Sequence, residues 1–422
     1  MISEFCYDWN EELPPLTFRG IVDETLRDGM QAPNAPSLSL EEKVDLIGCM
    51  HAVGIHDAIV GMIGLGQTSA SRTRAVLKAL AERRWNVTIW LLSRCVESDL
   101  KELSRLQDDT GCPLGMNIFV NLSGIRCFVE GSDVDDLLRR MTQCLKVGTR
   151  IFGESRVAFE DATRTSPDVL QRAIGALSSA PPTRLAITDT AGIATPDGVK
   201  RLCTFVRDAA IAELGDRTAL EWHGHEDRGL GLANSLESLR CGFHYIHGTI
   251  LGIGERNGNV SLDALLLNLS AVMPEAANWP ALLDYYAHAC RLFPSFVSAS
   301  HPFLGENSFL SSTGTHCAAI DKALELGRPD VASELFSPRS YVSGIRRARF
   351  GISHLSGHRT VRSVLQRMGI ETTNAAVGAV LSAARALGRT MTDAEIARAA
   401  QDCRKRAGRP EEAVILVPEQ QP

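Results

Sequence analysis

Residues 219–241 read ALEWHGHEDRGLGLANSLESLRC. Ala219–His223 is a short β-rich run, a charged and glycine-containing turn follows, and Leu232–Cys241 then carries helical periodicity. On a strand, residues i and i+2 share a face, so His223 and His225 point the same way and Trp222 faces the opposite, helical layer. The strand-then-helix unit recurs on both sides. Its other β-rich runs are Phe18–Asp23, Asp57–Gly61, Asn86–Leu92, Gly115–Asn121, Arg150–Phe159, Arg184–Thr188 and Tyr245–Ile250. Helical segments follow them, among them Glu41–His51, Ser69–Arg83, Asp133–Val147, Asp197–Leu214 and Ser261–Val272. Pro196 followed by Asp197 marks a helix start. Eight such units in roughly 250 residues predict an α/β fold, a (β/α)8 TIM barrel.

Outside that block the pattern changes. Pro274 to Pro280 marks a boundary, with a barrel domain expected over 15–275 and helical C-terminal subdomains over 276–422. Leu282–Leu292, Ala318–Leu326, Val361–Met368, Ala375–Leu387 and Asp393–Arg404 read as the helices of a mostly helical appendage, interrupted by a Gly-, Ser- and Arg-rich passage from Ser337 to Arg359. The tail from Gly408 is expected to fray.

Composition narrows the function classes. The chain has 422 residues, 44% hydrophobic and 22% charged, with a net charge of -6, ordinary for a soluble globular protein and unsuited to nucleic acid. The longest apolar stretches, such as Ala264 to Val272, are too short to span a bilayer. Met1 to Glu12 is acidic and has no basic start followed by an apolar core, so no secretory signal is expected. Eleven cysteines are scattered with no Cys-x-x-Cys pair, which favours thiols in a reducing cytoplasm over a cysteine-held zinc.

Active sites of TIM barrels lie at the C-terminal strand ends. The first strand ends in Asp23-Glu24-Thr25-Leu26-Arg27-Asp28-Gly29 and the seventh in Trp222-His223-Gly224-His225-Glu226-Asp227. Two imidazoles and a carboxylate from a distant strand make a three-ligand site with open positions, suited to Zn²⁺, Mn²⁺ or another divalent ion. Gly252, Gly254 and Gly258 lack the dinucleotide fingerprint and read as a turn at the mouth of the eighth strand.

DETLRDGMQ at 23–31 and HGHEDRGLGLANSLESLRCGFHYIHGTILGIGERNGN at 223–259 resemble the family of 2-isopropylmalate synthase, homocitrate synthase and 3-hydroxy-3-methylglutaryl-CoA lyase. FEDATRTSPDVL at 159–170 and ITDTAGIATPDGV at 187–199 resemble that family's fifth- and sixth-strand motifs. GENSFLSSTGTH at 305–316 and SGHRTV at 356–361 resemble the appendage of its synthases. The resemblance implies a pyruvate carboxyltransferase-like barrel that uses a divalent ion (Zn, Mn, Mg or Co) and acetyl-CoA as co-substrate. Asp28, His223 and His225 would be the metal ligands, with Asn259 beside the metal. Arg27 would hold an oxygen of the 2-oxo acid or of the acetyl enolate. Glu160 and Thr190 match substrate-contacting positions. His316 matches a histidine that the appendage brings to the active site, often from the other subunit of a homodimer, and is the candidate for acid–base work on the acetyl methyl group.

The chain departs from the family pattern at four places. Met30 and Ile59 stand where glutamates are usual, the second being the one that braces the catalytic arginine; Glu226 and Leu251 replace asparagines. These departures argue against an ordinary leucine-pathway role. With no room at the end for the extra regulatory domain of feedback-inhibited isopropylmalate synthases, leucine control at such a domain is not expected. Arg126, taken as the end of the fourth strand, matches an arginine that meets the distal carboxylate in homocitrate synthases. It favours a substrate with a second anionic group: phosphonopyruvate, oxaloacetate or 2-oxoglutarate. HEDRG, TILGIGER and TGTH look closest to the subgroup containing phosphonomethylmalate synthases. The rivals are a 2-isopropylmalate synthase acting on 2-oxoisovalerate, an acyl-CoA lyase and a non-catalytic relative. The lyases carry a cysteine after the eighth strand, and Gly252 to Gly258 has none.

Overall fold

The computed structural model describes residues 5, 16–270, 273, 278–302, 304–336 and 349–407. Eight parallel strands close a barrel in sequence order: β1 (Gly20–Asp23), β2 (Asp57–Met62), β3 (Thr88–Arg94), β4 (Leu114–Asn121), β5 (Ser155–Glu160), β6 (Arg184–Asp189), β7 (Ala219–Gly224) and β8 (Tyr245–Gly248), with β8 pairing back onto β1. The helices between them are α1 (Leu40–Val53), α2 (Gln67–Arg83), α3 (Glu97–Thr110), α4 (Gly124–Glu130), α5 (Val134–Ile151), α6 (Pro167–Leu177), α7 (Pro196–Leu214) and α8 (Gly231–Arg240). After β8 come α9 (Leu262–Ser270) and α10 (Trp279–Leu292). The predicted (β/α)8 barrel is the observed fold. No helix among the described residues is long and apolar enough to cross a membrane.

Local chemistry sets the helix starts. Ser39 accepts from Glu42 N while the Glu42 carboxylate accepts from Ser39 N, a capping box that starts α1. Ser166–Pro167 and Thr195–Pro196 start α6 and α7 with a side-chain cap followed by proline at the first helical position.

Three expectations are corrected. The fifth strand begins at Ser155, not Arg150, because the apolar stripe Leu138, Met141, Leu145 and Gly148 carries α5 through Ile151. Gly148 lets that helix press onto the barrel, since a Cβ there would stand 2.0 Å from Met116 Sδ. The fourth strand ends at Asn121, and Arg126 lies on the following α4. Finally, the compact unit containing the barrel runs from Asn10 to Ser298, beyond the boundary expected near 275. The helix α10 belongs to it: it packs on α1, and its buried Tyr285 donates to Asp23 Oδ2 at 2.7 Å.

The other unit comprises Met1–Trp9 and Ala299–Pro422. It holds α11 (Gly314–Glu325), α12 (Pro329–Glu334), α13 (His358–Arg367), α14 (Asn374–Leu387) and α15 (Asp393–Ala407), with a two-stranded pairing of β9 (Leu310–Ser311) and β10 (Arg349–Phe350). It is mostly helical, as predicted. The tail from Gly408 and residues 337–348 of the Gly-, Ser- and Arg-rich passage lie outside the described residues.

Candidate metal centre and active site

The turn after β1 is built to present charge. Glu24 N donates to Gly248 O at 2.8 Å, and Glu24 O accepts from Arg27 N and Gly29 N at 3.0 and 3.1 Å. This tight closure brings Glu24, Arg27 and Asp28 to one cavity of about 210 Å³ that His223, His225 and His247 also line. Asp28 is buried. Its Oδ1 accepts from Asn259 Nδ2 at 2.9 Å and Glu255 N at 3.2 Å, and its Oδ2 accepts from Arg27 Nη1 at 2.8 Å. Burial pushes the Asp28 pKa up, but Arg27 and the two imidazoles outweigh it and keep the carboxyl below its usual range.

His223 and His225 extend inward from β7 and from the residue just past it. Their Nε2 atoms are 3.4 Å apart, and each lies 3.9 Å from Asp28 Oδ2. His225 Nδ1 donates to Gly258 O at 3.2 Å, which leaves Nε2 as the lone-pair nitrogen. Burial, then His223, lower the His225 pKa to about 4, so the ring is neutral at ordinary pH. One ligand atom from each of Asp28, His223 and His225 falls within 4.8 Å of the others. Asn259 Oδ1 is buried beside them with no hydrogen-bond partner among the described residues. Two facing imine nitrogens, a carboxylate and an orphaned amide oxygen fit a divalent cation. Gly254 makes room, since a Cβ there would lie 2.2 Å from Asn259 Nδ2 and 2.8 Å from Asp28 Oδ1. The glycines after β8 thus form the turn read from the sequence.

Support comes from residues that sequence reasoning passed over. Glu24 braces Arg27 through Nη2, filling the place left by Ile59 on the second strand. Its Oε1 stands 3.1 Å from His223 Nδ1 and 2.6 Å from His247 Nδ1. The Glu24 carboxylate thus hydrogen-bonds His247 and lies close to His223 Nδ1 without a well-aligned hydrogen bond to it, while His223 Nε2 faces Asp28. Glu24, His223 and His247 also form a cluster with metal-ligand spacing. The Arg27 and His247 contacts already occupy Glu24, so this cluster reads as support for the first. His247 continues to Glu221 Oε2 at 2.9 Å, and Glu221 receives Arg156 and Arg184. Burial raises the Glu221 pKa, but Arg156, His247 and Arg184 hold it well below the carboxylate range.

Glu160 and Thr190 line the same cavity. Burial lifts the Glu160 pKa above its usual value against the opposing pull of Arg126. Thr190 Oγ1 accepts from Asp161 N at 2.9 Å, tying the end of β6 to β5. Arg126 is exposed on α4, ion-paired with Glu130, and is not part of the cavity lining. His316 lies in the other unit, exposed and stacked on Phe336 with centroids 4.0 Å apart.

The family model described as HMGL-like matches residues 20–286. A probable 2-isopropylmalate synthase of Methanopyrus kandleri is 30% identical over 372 residues, which cover 87% of this chain and 69% of that protein. The 2-isopropylmalate synthase of Sediminispirochaeta smaragdinae is 29% identical over 307 residues, covering 70% of this chain but only 59% of its own length. Among solved structures, hydroxymethylglutaryl-CoA lyase from Pseudomonas aeruginosa superposes with a TM-score of 0.55 at 19% identity, over 66% of this chain and 94% of that one. The carboxyl transferase domain of Rhizobium etli pyruvate carboxylase gives 0.51 at 12% identity, over 92% and 60%. At these identities the structures speak to the fold alone.

Proposed function

The chain belongs to the HMGL-like family, and from that premise we propose that it condenses acetyl-CoA with a 2-oxo acid, giving a 2-substituted malate and CoA. The observation that carries this reading is the convergence of Asp28, His223 and His225 beside Arg27 in a single cavity, with Asn259 hydrogen-bonded to Asp28.

Asp28, His223 and His225 would hold the divalent ion, with Asn259 Oδ1 as a fourth donor. When bound, the ion supplies Lewis-acid polarisation of the oxo acid's carbonyl. Arg27 is pinned by Glu24 and Asp28, and its Nε is buried without a partner among the described residues, so it can hold a carboxylate or enolate oxygen without reorganising. Glu160, whose pKa is raised, and His316 of the appendage are the acid–base candidates. A base takes a proton from the acetyl methyl, and the resulting enolate carbon bonds to the keto carbon. The keto oxygen takes up a proton. Water then cleaves the thioester, releasing a carboxylate and the CoA thiol. A homodimer whose appendage reaches the partner's barrel belongs to the same proposal.

The favoured oxo acid bears a second anionic group, as in phosphonopyruvate, oxaloacetate or 2-oxoglutarate. The support for this is the sequence match of Arg126 to the arginine that meets the distal carboxylate in homocitrate synthases, although Arg126 is exposed on α4 and outside the cavity lining. The names of the relatives favour a second reading, a 2-isopropylmalate synthase on 2-oxoisovalerate. Thiol release measured with metal-loaded enzyme, acetyl-CoA and this panel separates the two. Anionic oxo acids should give the highest kcat/KM, and Arg126→Ala should lower it for them by no more than about fivefold, because a half-exposed pair contributes roughly 0–1 kcal/mol. Preference for 2-oxoisovalerate selects the second reading, and absence of turnover with every oxo acid rejects condensation.

A further inference from the structure

The helix α8 begins without a cap of its own. Its N-cap position is Leu230, whose side chain accepts nothing, and Gly231 and Leu232 open the helix with N–H groups that the helix itself does not satisfy. Glu226 supplies the acceptors from upstream: its Oε2 accepts from Gly231 N and its Oε1 from Leu232 N, each at 3.0 Å. A carboxylate placed there also meets the positive end of the helix dipole. The approach depends on Gly231, since a Cβ at that position would stand 2.6 Å from Glu226 Oε1 and 2.7 Å from its Cδ. Glu226 is one of the departures from the family pattern, and the asparagine usual there has one accepting oxygen in place of two.

The backbone of Glu226 is tied to the metal centre. Glu226 follows His225 directly, and its N–H donates to Gly258 O at 3.0 Å. The same oxygen accepts from His225 Nδ1 at 3.2 Å, the bond that leaves Nε2 facing Asp28. His225 also forms a β-bridge with Asn259, the residue after Gly258. Gly258 O is thus a shared acceptor, and a shift of Glu226 changes where that oxygen lies against the imidazole. On the other side Asp227 accepts from Arg256 Nε and Nη2, both at 2.9 Å, and Arg256 Nη2 also donates to Thr190 O at 2.6 Å. His225 therefore sits in a segment anchored by two consecutive carboxylates, one on α8 and one on the loops after β6 and β8. Arg256 is exposed to solvent, so the anchor on α8 is the firmer of the two.

We propose that Glu226 and Gly231 are a matched pair that positions His225 for the divalent ion, a role that rests on the metal assignment of Asp28, His223 and His225. Neither residue is a ligand. Both act through the imidazole, with α8 as the rigid support.

The test is a metal-affinity cycle on the full-length chain, stripped of metal and titrated with Zn²⁺ against a competing chelator. Glu226→Ala removes both acceptors. Gly231→Ala raises helix propensity, while its methyl displaces the flexible carboxylate. Each should weaken metal binding about tenfold, the low end for residues that orient a ligand. The double variant should bind no more weakly than Glu226→Ala, because the added methyl then has nothing to displace. Glu226→Gln keeps the length and one acceptor and should recover part of the loss. Ser166→Ala removes the cap of α6, a joint whose preceding loop carries none of the metal donors. It should lower Tm and leave metal affinity unchanged, which separates positioning from a general loss of helix stability. Losses that add in the double variant overturn the pairing, and an equal loss in Ser166→Ala overturns the positioning role. A wild type that binds no divalent ion removes the metal assignment and this role with it. Wild-type binding that Glu226→Ala and Gly231→Ala leave unaltered refutes the role of Glu226 alone.

Discussion

Inside the barrel, Glu24, Arg156, Arg184, Glu221 and His247 meet in one buried network drawn from the turn after β1 and from β5, β6, β7 and β8. Inside the appendage, Ile352, Val361, Leu365, Val377, Val380, Leu381, Ala384 and Ile396 pack into a buried apolar cluster, and the buried polar groups beside it are Asp321, Ser353, Ser356 and Thr360. Both regions are folded, yet they use burial for different ends. An apolar core gains free energy from every methylene removed from water. A buried ion pair must first recover the desolvation of both charges, and replacing it with apolar residues is often neutral or stabilising. Charge retained in the barrel interior therefore points to function, and the appendage core points to structure. Three substitutions press on that contrast.

The largest effect is expected from His223→Ala. It removes one of the three ligand atoms that lie within 4.8 Å of each other. Metal affinity should fall by more than the roughly 10–100-fold typical when only a supporting residue is lost. Activity should fall with it, and Tm in the absence of metal should change little. Elemental analysis after dialysis reads the first, and full metal content would mean that the ion is held elsewhere.

Glu24→Gln comes next. The amide keeps the shape of the side chain but removes the charge that faces Arg27, His223 and His247. kcat/KM and metal affinity should each fall by about 10–100-fold. The kinetic loss should exceed the metal loss at saturating metal, because Arg27 is freed as well as His223. A loss that excess metal fully repairs would show that Glu24 serves the ligand only.

The sequence made much of this legible and left a definite remainder. Parallel strands read as apolar runs with helices between them, so the eight units and the Asp28, His223 and His225 set could be read from local pattern. The network beneath was missed because its partners are far apart in the chain: Arg156 pairs with Glu221 across 65 positions and His247 with Glu24 across 223. A usable signal was present nonetheless. Glu221 precedes His223 and His225 at a spacing of two, and Arg156, Ala158 and Glu160 repeat that spacing on β5. Charges at alternate positions of an otherwise apolar parallel strand face the barrel axis and need partners there. Arg126 was misplaced for the converse reason. Asn121 and Ser123 end the strand, with Ser123 N and Oγ donating to Asn121 Oδ1, and a short helix follows that local propensity does not announce.

Leu365→Ala should have the smallest effect on the metal centre and still a clear one on the molecule. Leu365 is fully buried on α13 within the apolar cluster shared with α14 and α15. Truncation leaves a cavity, and losses of about 2–5 kcal/mol accompany such changes. The appendage should therefore unfold at lower denaturant, seen as a helical circular-dichroism transition that shifts by itself. All four candidate metal donors belong to the compact unit Asn10–Ser298, so metal retention across that transition should match the wild type. Activity is the informative third readout. If His316 acts in catalysis, turnover should disappear together with the appendage transition while the metal stays bound. Turnover that outlasts the transition would remove His316 from the chemistry and leave Glu160 to carry the proton. Metal lost in step with the appendage would instead mean that the apolar core and the charged interior are not separable, and the contrast between them would fall.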